Sequence, residues 1–152
     1  MSINLALFNQ DLLHEISLME QFLDLVIKEQ SILTSNDIDA LENLLPVKSD
    51  LMSALLIVTN NRLSSLVKFG LPDNNASMAL LIKQSSNAPL EQHWQQFINI
   101  GTQADEINKN NGYIVNGLFF TNQNTLAFLQ GKNMNVLYGP DGHNTAHSTL
   151  RT

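Results

Sequence analysis

The chain has 152 residues and a net charge of −6 at neutral pH; 43% of its residues are hydrophobic and 14% are charged. This length allows one domain with a hydrophobic core, and eight Lys and Arg residues spread along the chain argue against nucleic-acid binding, which needs clustered basic side chains. The sequence has no cysteine, which excludes disulfides, Cys-ligated zinc and thiol catalysis and fits a reducing cytoplasm.

Targeting and membrane-spanning segments are not expected in this chain. The first residues, Met1–Phe8, lack the basic start and the cleavage site of a signal peptide. The longest purely apolar runs are Ala54–Val58 and Met78–Ile82, which are much shorter than the ~20 residues that span a membrane. We therefore expect a soluble, cytoplasmic protein.

The first predicted helix runs from about Ile3 to Leu33. Apolar residues recur along it at helical spacing, and a second partial stripe widens the apolar face. The main stripe comprises Leu5, Phe8, Leu12, Ile16, Met19, Leu23, Val26 and Leu33. The second stripe comprises Leu18, Phe22, Leu25 and Ile32. A face this wide indicates contact with two other helices, as in a bundle.

A break and a new helix start are predicted at Thr34–Asp37. Ser35 or Asn36 is expected to cap the second helix by accepting hydrogen bonds from its first amides. This helix should end near Leu66 or Phe69. Its apolar stripe comprises Leu41, Leu44, Leu45, Leu51, Leu55 and Val58.

Pro46 and Lys48 are unusual residues in this second stripe. An interior proline removes a backbone hydrogen bond, so either the helix kinks there or two helices meet. A kink is favoured because the apolar spacing continues across Pro46. Lys48 falls on the apolar side, where we expect its methylenes to lie along the core and its charge to point outward.

A turn at Gly70–Asn75 precedes a predicted short helix over Ala76–Gln84. Pro89 suits the first turn of a further long helix, because proline lacks an amide hydrogen that would have no acceptor there. We predict that this helix runs from Pro89 towards Gln130. From Lys132 onward the chain has few apolar residues and no periodicity, and we expect disorder.

The last long helix has an apolar seam with a polar centre. The seam comprises Leu90, Trp94, Phe97, Gly101, Ala104, Asn108, Asn111, Val115, Leu118, Asn122, Thr125 and Leu129. Buried amides in such a seam fix the register between helices at a cost in stability, so Asn108 and Asn111 are either buried there or face water where the bundle ends. Because Gly112 costs about 1 kcal/mol relative to alanine in a helix, a bend or fraying is expected at Asn111–Gly112.

These patterns predict an all-α fold: an elongated antiparallel bundle of about three long helices over residues 1–131, with a disordered C-terminal tail over residues 132–152. No strand pattern competes with the helices.

Motifs for catalysis or metal binding are not evident in the sequence. Asp11 and His14 have the spacing of half a diiron motif, but His14 lies on the polar side of its helix. His143 and His147 are four residues apart without a third ligand nearby. Phosphate-loop and nucleophile-elbow motifs do not occur. We therefore expect no catalytic residue, no metal and no cofactor.

The order of several short motifs resembles the FlgN family of flagellar export chaperones. In the first half the similar segments are Leu25–Leu33, Asp37–Leu41, Lys48–Leu51 and Arg62. In the second half they are Trp94, Ile107–Ile114 and Leu137–Gly142, which are similar to the "LN..NG..I" and "YG.DG" patterns of the family. The chain departs from the family at Ile107, usually leucine, at Pro46, and over Val67–Ala88, where no similarity is apparent.

The resemblance implies a cytosolic protein that binds the C-terminal helices of the hook–filament junction proteins FlgK and FlgL. It would prevent their premature assembly and deliver them to the cytosolic domain of the export gate. By position, client binding would involve Ile114, Leu118, Phe119, Leu126 and Leu129. Gate docking would involve Tyr138.

Other interpretations of these residues and of the chain remain open at this point. The five apolar residues can instead pack in the protein's own core, and Tyr138 can instead cover the end of the bundle. As a whole, the chain can instead be a chaperone for another secretion-system subunit or a self-associating coiled-coil protein. A chaperone should be a monomer or small homo-oligomer that binds its client stoichiometrically, whereas a structural coiled coil should assemble alone.

Overall fold

The computed structural model describes residues 2–121, and their side chains from Asn4 to Gly117. This part of the chain consists of helices and short connections without strands, so the predicted helical-bundle class is confirmed. The helices are α1 Ser2–Thr34, α2 Ile38–Lys68, α3 Ala76–Ser85 and α4 Ala88–Thr121. The described residues thus contain four helices rather than about three, because the short α3 joins the three long ones. The predicted tail, residues 132–152, lies outside the described residues.

Residues 35–37 connect α1 to α2. Asn36 adopts a left-handed conformation with φ 57°, which asparagine tolerates better than most residues. The Asp37 amide donates to the Ile32 carbonyl at 3.2 Å, and closes the end of α1. The Asp37 carboxylate then accepts from the Ala40 amide at 3.1 Å. Asp37 is therefore the cap of α2, and the prediction that Ser35 or Asn36 caps it was wrong.

Helix α2 continues through Pro46, as the unbroken apolar spacing predicted. Pro46 itself is exposed. The expectation for Lys48 was wrong. Its side chain is fully buried, with 0% of its surface exposed, and it is engaged in a polar or electrostatic interaction. Burial of an ammonium group requires such an interaction, because desolvation of an unpaired charge is costly.

The chain divides into two compact units. Unit 1 comprises Met1–Leu23 and Pro46–Thr102, and unit 2 comprises Asp24–Leu45 and Gln103–Thr152. Each long helix therefore contributes one segment to each unit, whereas α3 belongs to unit 1 alone.

Unit 1 is built from four helical segments around an apolar core. Its core residues are Leu5, Phe8, Leu12, Ile16, Leu66, Met78, Leu81, Leu90 and Phe97. Phe8 and Phe69 meet edge to face, with ring centroids 5.7 Å apart. Both predicted contributions to this core, from the main stripe of α1 and from the first part of the α4 seam, are confirmed.

The described part of unit 2 contains three helical segments, from α1, α2 and α4. Its buried apolar residues are Leu25, Val26, Ile32, Leu33, Leu41, Leu44, Leu45, Ala104 and Val115. Glu29, Asn108 and Asn111 are buried among the same segments. The alternative that these asparagines face water was therefore wrong. Helix α4 also continues through Gly112, so it neither ends nor frays there.

Candidate partner-binding site

One stripe on α4 combines apolar side chains with a buried amide. Ile107, Asn111 and Ile114 stand at positions i, i+4 and i+7 and so lie on the same side of the helix. Asn111 is buried, whereas Ile107 and Ile114 are only half-buried. Apolar side chains left partly exposed beside a polar group at this spacing suit the packing of another helix.

Asn111 is held by the facing segment of α1. Its Nδ2 donates to the Val26 carbonyl at 2.9 Å and to the Glu29 carboxylate at 2.7 Å. These two hydrogen bonds fix the orientation of the amide and hence the register of α4 against α1 in unit 2.

The other atom of the same amide lacks a hydrogen bond. Oδ1 of Asn111 is buried and no donor from the described residues lies within hydrogen-bonding distance. A buried acceptor without a donor costs about 1–3 kcal/mol, so unit 2 keeps an unfavourable feature at the centre of this stripe.

Acidic residues dominate the described part of unit 2. Its basic residues are Lys28 and Lys109. Its acidic residues are Asp24, Glu29, Asp37, Asp39, Glu42, Asp105 and Glu106. Lys109 pairs with Asp105 at 2.9 Å along the helix surface. The remaining charge attracts cationic groups on a partner.

Comparison with known proteins identifies the family of the chain. The family model described as "FlgN protein" matches residues 1–146. The chain belongs to the FlgN family. It is also 27% identical over 139 residues to the flagella synthesis protein FlgN of Yersinia enterocolitica, an alignment that covers 90% of this chain and 88% of that protein. No solved structure gives a significant match. The chain is thus a flagellar chaperone of the FlgN type.

Few of the residues predicted for client and gate binding can be placed in this FlgN-family chain. Ile114 is half-buried on α4. Leu118 and Phe119 lie within α4, but their side chains are outside the described part. Leu126, Leu129 and Tyr138 lie outside the described residues.

Glu29 was not predicted as part of a site, although the sequence contained a signal for it. It stands four residues after Leu25 and three before Ile32, in the second apolar stripe of α1. A carboxylate at such a position is buried only when it has hydrogen-bonding partners. The Asn111 amide is one of them.

An apolar surface on α2 was also missed. Leu56 and Ile57 are 62% and 61% exposed, and no charged residue occurs from Leu51 to Asn61. The sequence run Ala54–Val58 is uniformly apolar, so periodicity could not show which of its members face water.

The described residues contain little that suits a metal or a membrane. Residues 2–121 contain no group of three or more metal-binding side chains, and His14 is exposed on α1. None of the helices described in this range is long and apolar enough to span a membrane. His143 and His147 lie outside the described residues.

Proposed function

We propose that this FlgN-family protein is a cytoplasmic export chaperone for the hook–filament junction proteins FlgK and FlgL. It binds their C-terminal helices, prevents premature assembly and delivers them to the export gate. The observation that carries the proposal is the α4 stripe, where half-buried Ile107 and Ile114 flank a buried amide near the end of the described helix.

A chaperone of this kind needs a surface that accepts a helix and can release it again. A chain end that is disordered before assembly folds as an amphipathic helix when it meets an apolar groove, and places anchors at i, i+3, i+4 and i+7. The ordering cost of that segment lowers the affinity and favours release. Ile114 supplies one apolar contact at the described end of α4.

The proposed client site extends along α4 and beyond it. It comprises Ile114, Leu118, Phe119, Leu126 and Leu129. Tyr138 is proposed to dock on the cytosolic domain of the export gate, because an aromatic residue between apolar neighbours in a polar segment suits a short docking motif.

Titration calorimetry with peptides from the C-termini of FlgK and FlgL tests the client assignment. We expect saturable binding at micromolar affinity or better with one peptide per chain. Absence of binding to either peptide by the folded chain would reject these clients. Self-association without a client, detected by light scattering, would instead favour a structural coiled coil.

Replacement of Leu118 and Phe119 together by serine should weaken client binding by about 700-fold or more, because two central apolar anchors contribute about 4 kcal/mol or more together. The matched control replaces Leu56 and Ile57 on α2, which are apolar and exposed, and should leave client affinity unchanged. Tyr138→Ala should also keep client affinity while it weakens binding to the gate domain. Unchanged client affinity in a helical Leu118→Ser/Phe119→Ser variant would exclude this site.

A further inference from the structure

Within residues 2–121, the two units differ in how many helical segments enclose their cores. In unit 1, α3 packs as a fourth segment and buries Ser77, Met78 and Leu81. The described part of unit 2 has three segments and no counterpart of α3. On α4, Ile107 and Ile114 in unit 2 remain half-buried. A helix about as long as α3, which has ten residues, would cover both.

The orphan acceptor lies where such a helix would pack. Asn111 is four residues after Ile107 and three before Ile114, so all three share one side of α4. Its Oδ1 is buried and no donor from the described residues reaches it, whereas its Nδ2 makes two hydrogen bonds. Oδ1 of Asn111 could therefore accept a hydrogen bond from a donor on a packed helix.

We propose that a client helix packs along Ile107 and Ile114 as the fourth helical segment of unit 2 and donates a hydrogen bond to Oδ1 of Asn111 from a lysine or arginine side chain. This proposal rests on the proposed chaperone function and specifies the chemistry of its client.

Along the body of a packed helix the donor has to be a side chain, because the backbone amides after the first turn are bonded within the helix. It has to be long, because Asn111 is fully buried and packed helix axes are about 8–10 Å apart. A cationic donor also fits the acidic residues of unit 2, of which Glu29 accepts from the same amide. A lysine or arginine meets all of these requirements, since its methylenes pack against the isoleucines.

This arrangement makes client binding selective for helices that carry the donor. A client with the donor gains the hydrogen bond and also satisfies the acceptor, whereas an apolar client leaves it buried without a partner. The difference amounts to about tenfold in affinity, since a hydrogen bond contributes roughly 1.4 kcal/mol, equal to a factor of ten. A wholly apolar groove would lack this discrimination and would bind any amphipathic helix.

The test is titration calorimetry of the full chain with synthetic peptides of the C-terminal helices of FlgK and FlgL. Each lysine or arginine of the peptides is replaced in turn by norleucine, which keeps the apolar stem and removes the donor. We expect one position at which this replacement lowers affinity by about tenfold. In an Asn111→Leu chain the same replacement should have no effect. An Asn110→Leu chain, altered at an exposed neighbour, should keep the tenfold effect.

The comparison does not depend on the stability of the variants, because both peptides meet the same protein and only the ratio of their affinities is used. If norleucine lowers peptide affinity by the same factor in the wild-type and Asn111→Leu chains, the proposal is overturned while the chaperone function stands. Failure of both unmodified peptides to bind the wild-type chain would reject the client assignment as well. A dimer that the Asn111→Leu change dissociates would show that a second copy of the chain occupies the site. Contact of residues 122–152 with Ile114 in the absence of peptide would show that the chain's own segment does so. Either result would overturn the proposal.

Discussion

Arg62 shows how unit 1 accommodates a charge in its core. Its guanidinium donates to the Glu15 carboxylate at 2.8 and 3.2 Å and to the Asn75 side chain at 2.9 Å. It lies 4.8 Å from the centroid of the Trp94 ring and 5.6 Å from that of Phe97. The planar guanidinium donates hydrogen bonds at its edge while its face contacts aromatic rings. The ammonium group of lysine cannot combine these contacts.

Arg62→Met should destabilise the protein by about 3–5 kcal/mol, because it leaves the Glu15 carboxylate buried without its cation. Glu15→Leu combined with Arg62→Met should recover much of that loss, since the second change removes the unpaired charge. Urea denaturation of the single and double variants measures both effects. Asp105→Asn, which breaks the exposed pair with Lys109, is the matched control and should cost at most about 0.5 kcal/mol. A loss below about 1 kcal/mol for Arg62→Met would show that the buried pair is unimportant for stability.

At the scale of the helix, Gly101 is a position where α4 can be improved. It lies in the helix interior, and a Cβ added there would meet only the Met19 methyl, at the ordinary contact distance of 3.9 Å. Gly101→Ala should therefore stabilise the protein by about 0.5–1 kcal/mol, since alanine restricts the unfolded chain and favours the helix.

Gly70 is the matched control for this prediction. It also has open space around its Cα, but its φ is +83°, which side-chain-bearing residues rarely adopt. Gly70→Ala should therefore destabilise by about 1–2 kcal/mol through backbone strain alone. Midpoints of thermal or urea unfolding distinguish the two variants. A loss of stability in Gly101→Ala would mean that Met19 leaves no room for the added methyl group, contrary to the 3.9 Å distance.

The helices themselves were predictable from the sequence, because apolar spacing is a local property. The expected helix Ile3–Leu33 is observed as Ser2–Thr34, and the short helix Ala76–Gln84 as Ala76–Ser85. The burial of polar residues was not predictable in the same way. Lys48 and Glu29 are buried because of partners brought together by the fold, and spacing along one helix does not identify those partners.

The candidate site was predicted less completely than the fold. The seam included Asn111 and Val115 but left open whether Asn111 is buried, and the family resemblance covered Ile107–Ile114, which contains Asn111. The orphan oxygen depends on which donors surround one atom in three dimensions, so sequence could not show it. A helix seam places an amide beside apolar neighbours, but shows neither whether the amide is buried nor whether its hydrogen bonds are complete.

At the scale of the whole chain, the two units have cores of different character. Unit 1 combines four helical segments with an extended apolar cluster. The described part of unit 2 has three segments. Both units bury polar side chains, but the buried Oδ1 of Asn111 in unit 2 has no donor among the described residues. Local opening costs less where fewer apolar contacts are lost and where a buried polar group gains water. Unit 2 should therefore open more readily than unit 1, which suits the unit proposed to exchange partners.

Native-state hydrogen exchange of the full chain measures this difference. The free energy of opening measured at the α4 amides around Asn111 and Val115 should be about 1–3 kcal/mol lower than that measured at the α1 amides around Leu12 and Ile16. The reason is that opening lets water reach the Oδ1 of Asn111. A saturating client peptide should protect the α4 amides of unit 2 and reduce the difference, since it stabilises only the state that binds it. Equal protection of both sets without peptide would show that the three described segments of unit 2 resist opening as strongly as the four segments of unit 1. In that case exchange of partners would have to occur at the surface of α4, without opening of its seam.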